Sequence, residues 1–147
     1  MVTIAPVRPE DRAEWLELMH GYLTFYEAQL DDATIDATFA RVVDPGSDIH
    51  GALARDDDGR AIGLVHWLTH SATWTRSDYC YLEDLFVAPD ARRSGAGAAL
   101  IEHVRAWAAG HGSVKVYWLT AESNATARSL YDRVAKQTGF VQYQIAL

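Results

Sequence analysis

The 147-residue chain has one cysteine, two lysines and four prolines, and the scarcity of the first two already excludes whole classes. A lone Cys80 cannot close an internal disulfide, and its place in an apolar run reads as a buried free thiol, which fits a reducing cytoplasm. Lysine is confined to Lys115 and Lys136, and 13 Lys plus Arg stand against 20 Asp plus Glu for a formal charge of −7. The positive stripe that tracks phosphates is missing, so nucleic acid is not expected as a partner. Long apolar runs are missing too. The stretch Ala61–Thr75 is broken by His66, Thr69, His70 and Ser71, short of the ~20 apolar residues that a membrane span needs. No membrane partner is expected, and the charged Arg8, Glu10, Asp11 and Arg12 near the start give no secretory signal.

What remains is one α+β domain, residues 1–147, with 49% apolar residues and no repeat or linker. Val2–Val7 reads as a short strand. Pro9 then opens a helix whose Trp15, Leu18, Met19, Tyr22, Phe25 and Tyr26 recur at helical spacing. A second helix is predicted over Asp32–Val43, stopped by Asp44-Pro45-Gly46. Strands follow at Ile49–Arg55, Ala61–Thr69 and Tyr79–Val87, the first two joined by the polar turn Asp56-Asp57-Asp58-Gly59. Helix, strand, helix and strand complete the order at Gly95–Ala109, Val114–Thr120, Asn124–Lys136 and Phe140–Ile145. The acids between Glu27 and Asp36 suit either an amine ligand or an ordinary helix start.

Two features carry chemistry. Glu83 and Asp84 are adjacent carboxylates inside an apolar strand, where alternation sends them to opposite faces and one of them into packed protein. Burying an unpaired carboxylate costs several kcal/mol by rough estimate, so a partner or a task is expected there. Downstream, Arg92-Arg93-Ser94-Gly95-Ala96-Gly97-Ala98 lies between that strand and a helix. Free amides at the helix start and two flexible glycines make an anion cradle suited to a diphosphate. The turn has neither the third glycine of a dinucleotide fingerprint nor the Gly-Lys-Ser/Thr of a P-loop. His66 and His70 share a strand face, but with no third ligand no metal is expected.

The strand Tyr81-Leu82-Glu83-Asp84-Leu85-Phe86-Val87, the Arg-x-x-Gly-x-Gly turn and the segment Asn124–Tyr131 together resemble the GNAT superfamily of acetyl-CoA-dependent N-acetyltransferases, over nearly the whole chain. Within it, the first of these and Ala121-Glu122-Ser123-Asn124 look like the branch of spermidine/spermine, thialysine and histone-acetyltransferase-like members. The resemblance implies a central mixed twisted sheet of about six or seven strands flanked by about four helices, and a cytoplasmic homodimer. It implies acetyl-CoA between two splayed strands, its arm on Leu85, Phe86 and Val87, its pyrophosphate on Arg92, Arg93, Ser94, Gly95, Ala96, Gly97 and Ala98, and further contacts from Asn124 and Tyr131. Glu83 matches the family's base and Tyr131 its acid. Outside the resemblance, Asn124 is simply an N-cap and Tyr131 a core aromatic. Asp84, Trp74, Tyr26 and Glu27 are candidate amine-binding residues, with a surface loop position the plain alternative for Trp74.

The activity implied is acetyl transfer to the primary amine of a small polyamine-like or amino-acid-like substrate. A protein or histone lysine acetyltransferase and a non-catalytic acyl-CoA-binding module are the alternatives. Two departures from the family pattern stand out. Arg93-Ser94 occupies positions where small residues are usual, and seven residues separate Tyr131 from Gly139-Phe140, which implies an extra helical turn.

Overall fold

A computed structural model describes residues 1–147. Five strands form one sheet in the order of the chain: β1 (Thr3–Pro6), β2 (His50–Arg55), β3 (Ala61–Ser71), β4 (Asp78–Val87) and β5 (Val116–Tyr117). The first four pair antiparallel, and β5 joins β4 in parallel. Helices α1 (Arg12–Phe25) and α2 (Asp32–Val43) cover one face, while α3 (Ala96–Gly110) packs on the other, with α4 (Ala125–Val134) beside it.

Local chemistry explains the boundaries. Asp31 caps α2 by accepting from the Thr34 amide at 2.7 Å, and Asp44 ends it in extended backbone ahead of Pro45. Between β2 and β3 the Asp56 carboxylate accepts from the Asp58 and Arg60 amides, and Gly59 supplies the left-handed φ of +82° that the turn requires. The start of α1 is tied to β2 by Arg55, which donates to the buried Asp11 at 3.0 Å and to Glu14 at 2.9 Å. That tie fixes the helix carrying Trp15 and Tyr22.

Each face of the sheet has its own core. Trp15, Leu18, Met19, Ile35 and Phe39 pack with Leu53, Leu64 and Phe86 on the α1 side. On the α3 side Leu100, Ile101 and Val104 pack with Ile62, Val65, Trp67, Cys80 and Leu82. Burial of a leucine-sized side chain contributes about 1.5–3 kcal/mol, so these two layers supply the driving force that sandwiches the sheet.

The expected six or seven strands become five. Val114–Thr120 forms ladder pairs with β4 at Val116 and Tyr117, bonds it as well through Val114 N–H and Lys115 C=O, and diverges from it beyond Tyr117. Phe140–Ile145 forms no strand: nothing in the chain pairs with it, and Phe140 and Tyr143 are each 92% exposed. The extra helical turn after Tyr131 is absent as well. Helix α4 closes at Val134, and Ala135 turns the backbone to φ −149°, ψ −176°.

Candidate functional site

The register of β3 against β4 carries the site. His66 pairs with Asp84 and Trp67 with Leu82, so Glu83 is an extra residue, a β-bulge. Its effect on side-chain direction can be followed in the cores. Cys80 and Leu82 lie in the α3-side cluster, yet Phe86 lies in the α1-side cluster, although even spacing would put all three on one face. The bulge reverses the alternation. Tyr81 before it, Glu83 at it, and Asp84 and Phe86 after it therefore share the α1 face, which corrects the expectation that the two carboxylates point apart.

Both acids act on the same surroundings. Burial first, then the charge of Asp84 and a hydrogen bond to it, push the Tyr22 phenol far above its ordinary range, with a smaller contribution from Glu83. Tyr81 and Tyr117 are raised by burial and then by Glu83. Glu83 itself is raised by burial and then by the charge of Asp84 beside it. An aromatic band continues along this face. Tyr81 and Tyr117 rings lie 4.9 Å apart, His70 Nε2 is 2.7 Å from Tyr117 Oη, and Lys115 Nζ sits 4.0 Å over the Tyr79 ring. Carboxylates ringed by phenols form a surface for an ammonium group.

Behind Asp84, His66 is buried between Trp15 and the sheet. Trp15 Nε1 donates to His66 Nε2 at 3.0 Å, and His66 Nδ1 lies 2.9 Å from Asp84 Oδ2.

Where β4 and β5 part, a cavity of about 960 Å³ opens. Its walls are Leu85, Phe86 and Val87 of β4, the turn Arg92–Ala98, and Asn124, Leu130 and Tyr131 of α4 and its cap. Cys80 N–H donates toward β5 and Ala88 N–H toward β3, so alternation leaves the Leu85 and Val87 amides on the open edge. At the turn, the first bond within α3 runs from Ala99 N–H to Gly95 C=O, and Ser94 Oγ accepts from Ala96 N–H. The Gly97 and Ala98 amides have no carbonyl inside the helix. Gly95 at φ +85° and Arg93 at φ +71° hold the turn in left-handed backbone. A Cβ on Gly97 would lie 3.0 Å from Leu130 Cδ2, so this glycine lets α4 close over the turn.

The cavity lining includes Arg92, Arg93 and Arg133 and not one acid, in a chain of net charge −7. That sign, the free amides and the missing Cβ atoms fit an elongated diphosphate ligand such as acetyl-CoA. Tyr131 stands on the wall with its ring 5.4 Å from Trp118, and its phenol is pushed up to about 12 by burial and then by Tyr26. Asn124 caps α4, accepting from Ala127 N–H at 3.4 Å, and also lines the cavity.

Several candidates fall elsewhere. Tyr26 lines the cavity, and its ring lies 5.0 Å from that of Tyr22, so it neighbours the carboxylates only through that phenol. Glu27, at φ +52°, lines a separate depression of about 550 Å³ at the end of α1 with His20 and Leu23. Trp74 lies in the β3–β4 turn, 92% exposed, and the strand rise puts it more than ~15 Å along the hairpin from Asp84. Arg133 and the Trp15–His66 pair were not foreseen. Only the packing of α1 on β3 and the face of α4 reveal them.

Residues 15–135 match the family model described as Acetyltransferase (GNAT) family. D-amino-acid N-acetyltransferase HPA3 of Saccharomyces cerevisiae is 36% identical over 144 residues, covering 97% of this chain and 89% of that one. Thialysine N-epsilon-acetyltransferase of Caenorhabditis elegans is 28% identical over 134 residues, covering 91% and 80%. Among solved structures, AAC(6')-Iy in complex with the bisubstrate analogue CoA-S-monomethyl-acetylneamine aligns with a TM-score of 0.83 at 20% identity, over 100% of this chain and 99% of that one.

Proposed function

The chain belongs to the GNAT family of acetyltransferases, and from that premise we propose that it acetylates the primary amine of a small amino-acid-like molecule, using acetyl-CoA. One observation carries the reading: the bulge at Glu83 sets two carboxylates on one side of β4, directly upstream of the segment whose open edge walls an acid-free, arginine-lined cavity. Acetyl-CoA would supply the acetyl group as a thioester.

The protein's own parts divide the work by charge. Arg92–Ala98 would hold the pyrophosphate on the Gly97 and Ala98 amides, with the arginines opposing its charge. The Leu85 amide, on the open edge, is the candidate donor for developing negative charge on the acetyl oxygen. Glu83 would take the proton that an ammonium group must lose before it attacks. Its raised value suits the task, since a stronger carboxylate base removes that proton more readily. Tyr131 keeps a proton at Oη on the cavity wall, where a departing thiolate can accept it. Asp84 would receive the amine as its anchor.

The amino-acid-like acceptor is supported by the two curated relatives, one acting on D-amino acids and the other on thialysine by name. A homodimer belongs to the same reading. Val141, Tyr143, Ile145 and Leu147 alternate with polar or small residues in an exposed tail, and β5 leaves a sheet edge without a partner. A cytoplasmic setting suits the buried thiol of Cys80.

A panel of D- and L-amino acids, lysine, simple diamines and a lysine-containing peptide, each given with acetyl-CoA and followed by thiol release, tests the reading. Turnover of a free amino acid or diamine is the expected result. Coenzyme binding without thiol release from any amine would leave only the binding-module alternative, and turnover confined to the peptide would move the acceptor to protein lysines.

A further inference from the structure

His66 is 2% exposed and hydrogen-bonded at both ring nitrogens. An indole nitrogen can only donate. Nε2 of His66 must therefore accept from Trp15, so the ring proton lies on Nδ1 and is given to Asp84 Oδ2. The ring has no freedom to turn. Trp15 covers it at 5.9 Å between centroids, and on the β2 side its Cδ2 would lie 3.1 Å from a Cβ at its register partner Gly51. That Cβ would also come within 2.7 Å of Val42 Cγ1, so the glycine leaves room for α2 and the histidine to pack together on this face.

The two acids end up differently furnished. Asp84 receives a neutral donor from His66 and lies against the Tyr22 phenol, and no lysine or arginine pairs with it. Glu83 makes no side-chain hydrogen bond or ion pair, although it is the next residue in the chain. Donors aimed at a carboxylate hold it in one orientation, whereas a carboxylate without partners and exposed, as Glu83 is, stays free to reach a proton. An anchor needs the first condition and a base the second.

We propose that Trp15 and His66 are positioning residues that lock the Asp84 carboxylate as the anchor of the substrate's ammonium group, leaving Glu83 alone to take its proton. This rests on the acetyltransferase reading of the same face. Neither residue touches substrate. Both act through Asp84, and the 51 residues that separate them are bridged only by the packing of α1 on β3.

Kinetics and spectroscopy together test it. His66→Leu should raise the amine KM about tenfold, the loss expected for one hydrogen bond to a charged group, with kcat and coenzyme affinity within about twofold. His66→Asn, which offers an amide N–H where Nδ1 stood, should restore most of that KM. A fall in kcat at unchanged KM, or an asparagine variant no better than the leucine one, would overturn the assignment. The second arm needs no turnover and no folding of a core variant. Ring ¹⁵N spectra of the wild-type chain should show His66 protonated at Nδ1 only, and butylamine should shift that N–H signal in the wild type but not in Asp84→Asn. An Nε2–H tautomer, or no shift with butylamine, would sink the proposal even in an active enzyme. Absence of turnover with the tautomer and the shift intact would instead count against the acetyltransferase reading alone.

Discussion

His66 and Asp84 are register partners across β3 and β4, with Nδ1 2.9 Å from Oδ2, while Glu83 has no partner in the ladder. In the proposed mechanism the unpaired residue is the one that takes the proton. Glu83→Gln should therefore lower kcat by about a hundredfold or more, and titration should find coenzyme affinity unchanged. Burial and Asp84 raise the Glu83 carboxyl, and a base works only once deprotonated. The rate should accordingly climb with pH through a limb above the ordinary glutamate range, and that limb should vanish in the glutamine variant.

Tyr131→Phe tests the proposed acid. A phenol pushed up to about 12 stays protonated throughout the neutral range, so it can donate but cannot serve as a base. Its removal should slow transfer by roughly tenfold, less than the loss at Glu83, because water can also reach a departing thiolate. A poorer leaving group should suffer more, and comparing acyl donors of different thiol basicity would reveal that difference.

Much of this architecture was legible in the residues themselves. Helical periodicity and the Asp44-Pro45-Gly46 stop marked α2 at its observed limits, Asp32–Val43, and the oddity of Glu83-Asp84 fell on the strand that carries the bulge. The direction of Asp84 was not legible. Alternation assumes an uninterrupted ladder, and a single extra residue at Glu83 overturns it. Trp15 and His66 were hidden for a related reason, since periodicity assigns each to a face of its own element and says nothing about which atoms meet. Trp74 illustrates the opposite error. The resemblance made it a candidate wall of the amine pocket, but a long hairpin carries it away.

Gly95 and Gly97 stand two residues apart and should fail in different ways. A Cβ at Gly95 meets nothing within 4 Å, but φ is +85°, a conformation that costs an ordinary L-residue about 1–2 kcal/mol. Gly95→Val should reshape the turn and weaken coenzyme binding by at least about tenfold, with thermal stability moderately reduced. Gly97→Val instead drives into Leu130 of α4, so it should shift that helix and disturb Tyr131 as well as the coenzyme. Calorimetric titration beside kcat separates the two: Gly95→Val saturated with coenzyme should recover most of its rate, and Gly97→Val should not.

Cys80 is fully buried on the α3 side, and burial, then Asp78, push its thiol up to about 11. Only a thiolate reacts rapidly with alkylating agents. Iodoacetamide should modify the native chain no faster than the chain unfolds, and the rate should rise together with denaturant. The sign of the pH effect follows from the same shift. Below the ordinary thiol range both states are protonated and the contribution is complete. Between that range and about 11 only the unfolded chain ionises, so stability should decline as pH rises. A native-state alkylation rate matching that of a free cysteine would contradict the burial.

The tail beyond Gly139 poses the last question. Phe140, Val141, Tyr143 and Ile145 are 75–92% exposed, and their segment accepts no backbone hydrogen bond from the sheet. Apolar side chains in strand alternation lose free energy in water at ~25 cal/mol per Å² of exposed surface, which an added strand at the β5 edge would recover. A second copy supplies both pieces twice, once in each direction, as a two-fold assembly requires. Removing residues 140–147 should therefore convert a dimer to a monomer in sedimentation or light scattering, with coenzyme affinity retained because none of these residues lines the cavity. Tyr143→Asp, placing a charge in the middle of the alternation, should weaken association without shortening the chain. A full-length protein that sediments as a monomer at micromolar concentration would show that the tail has some other partner or none.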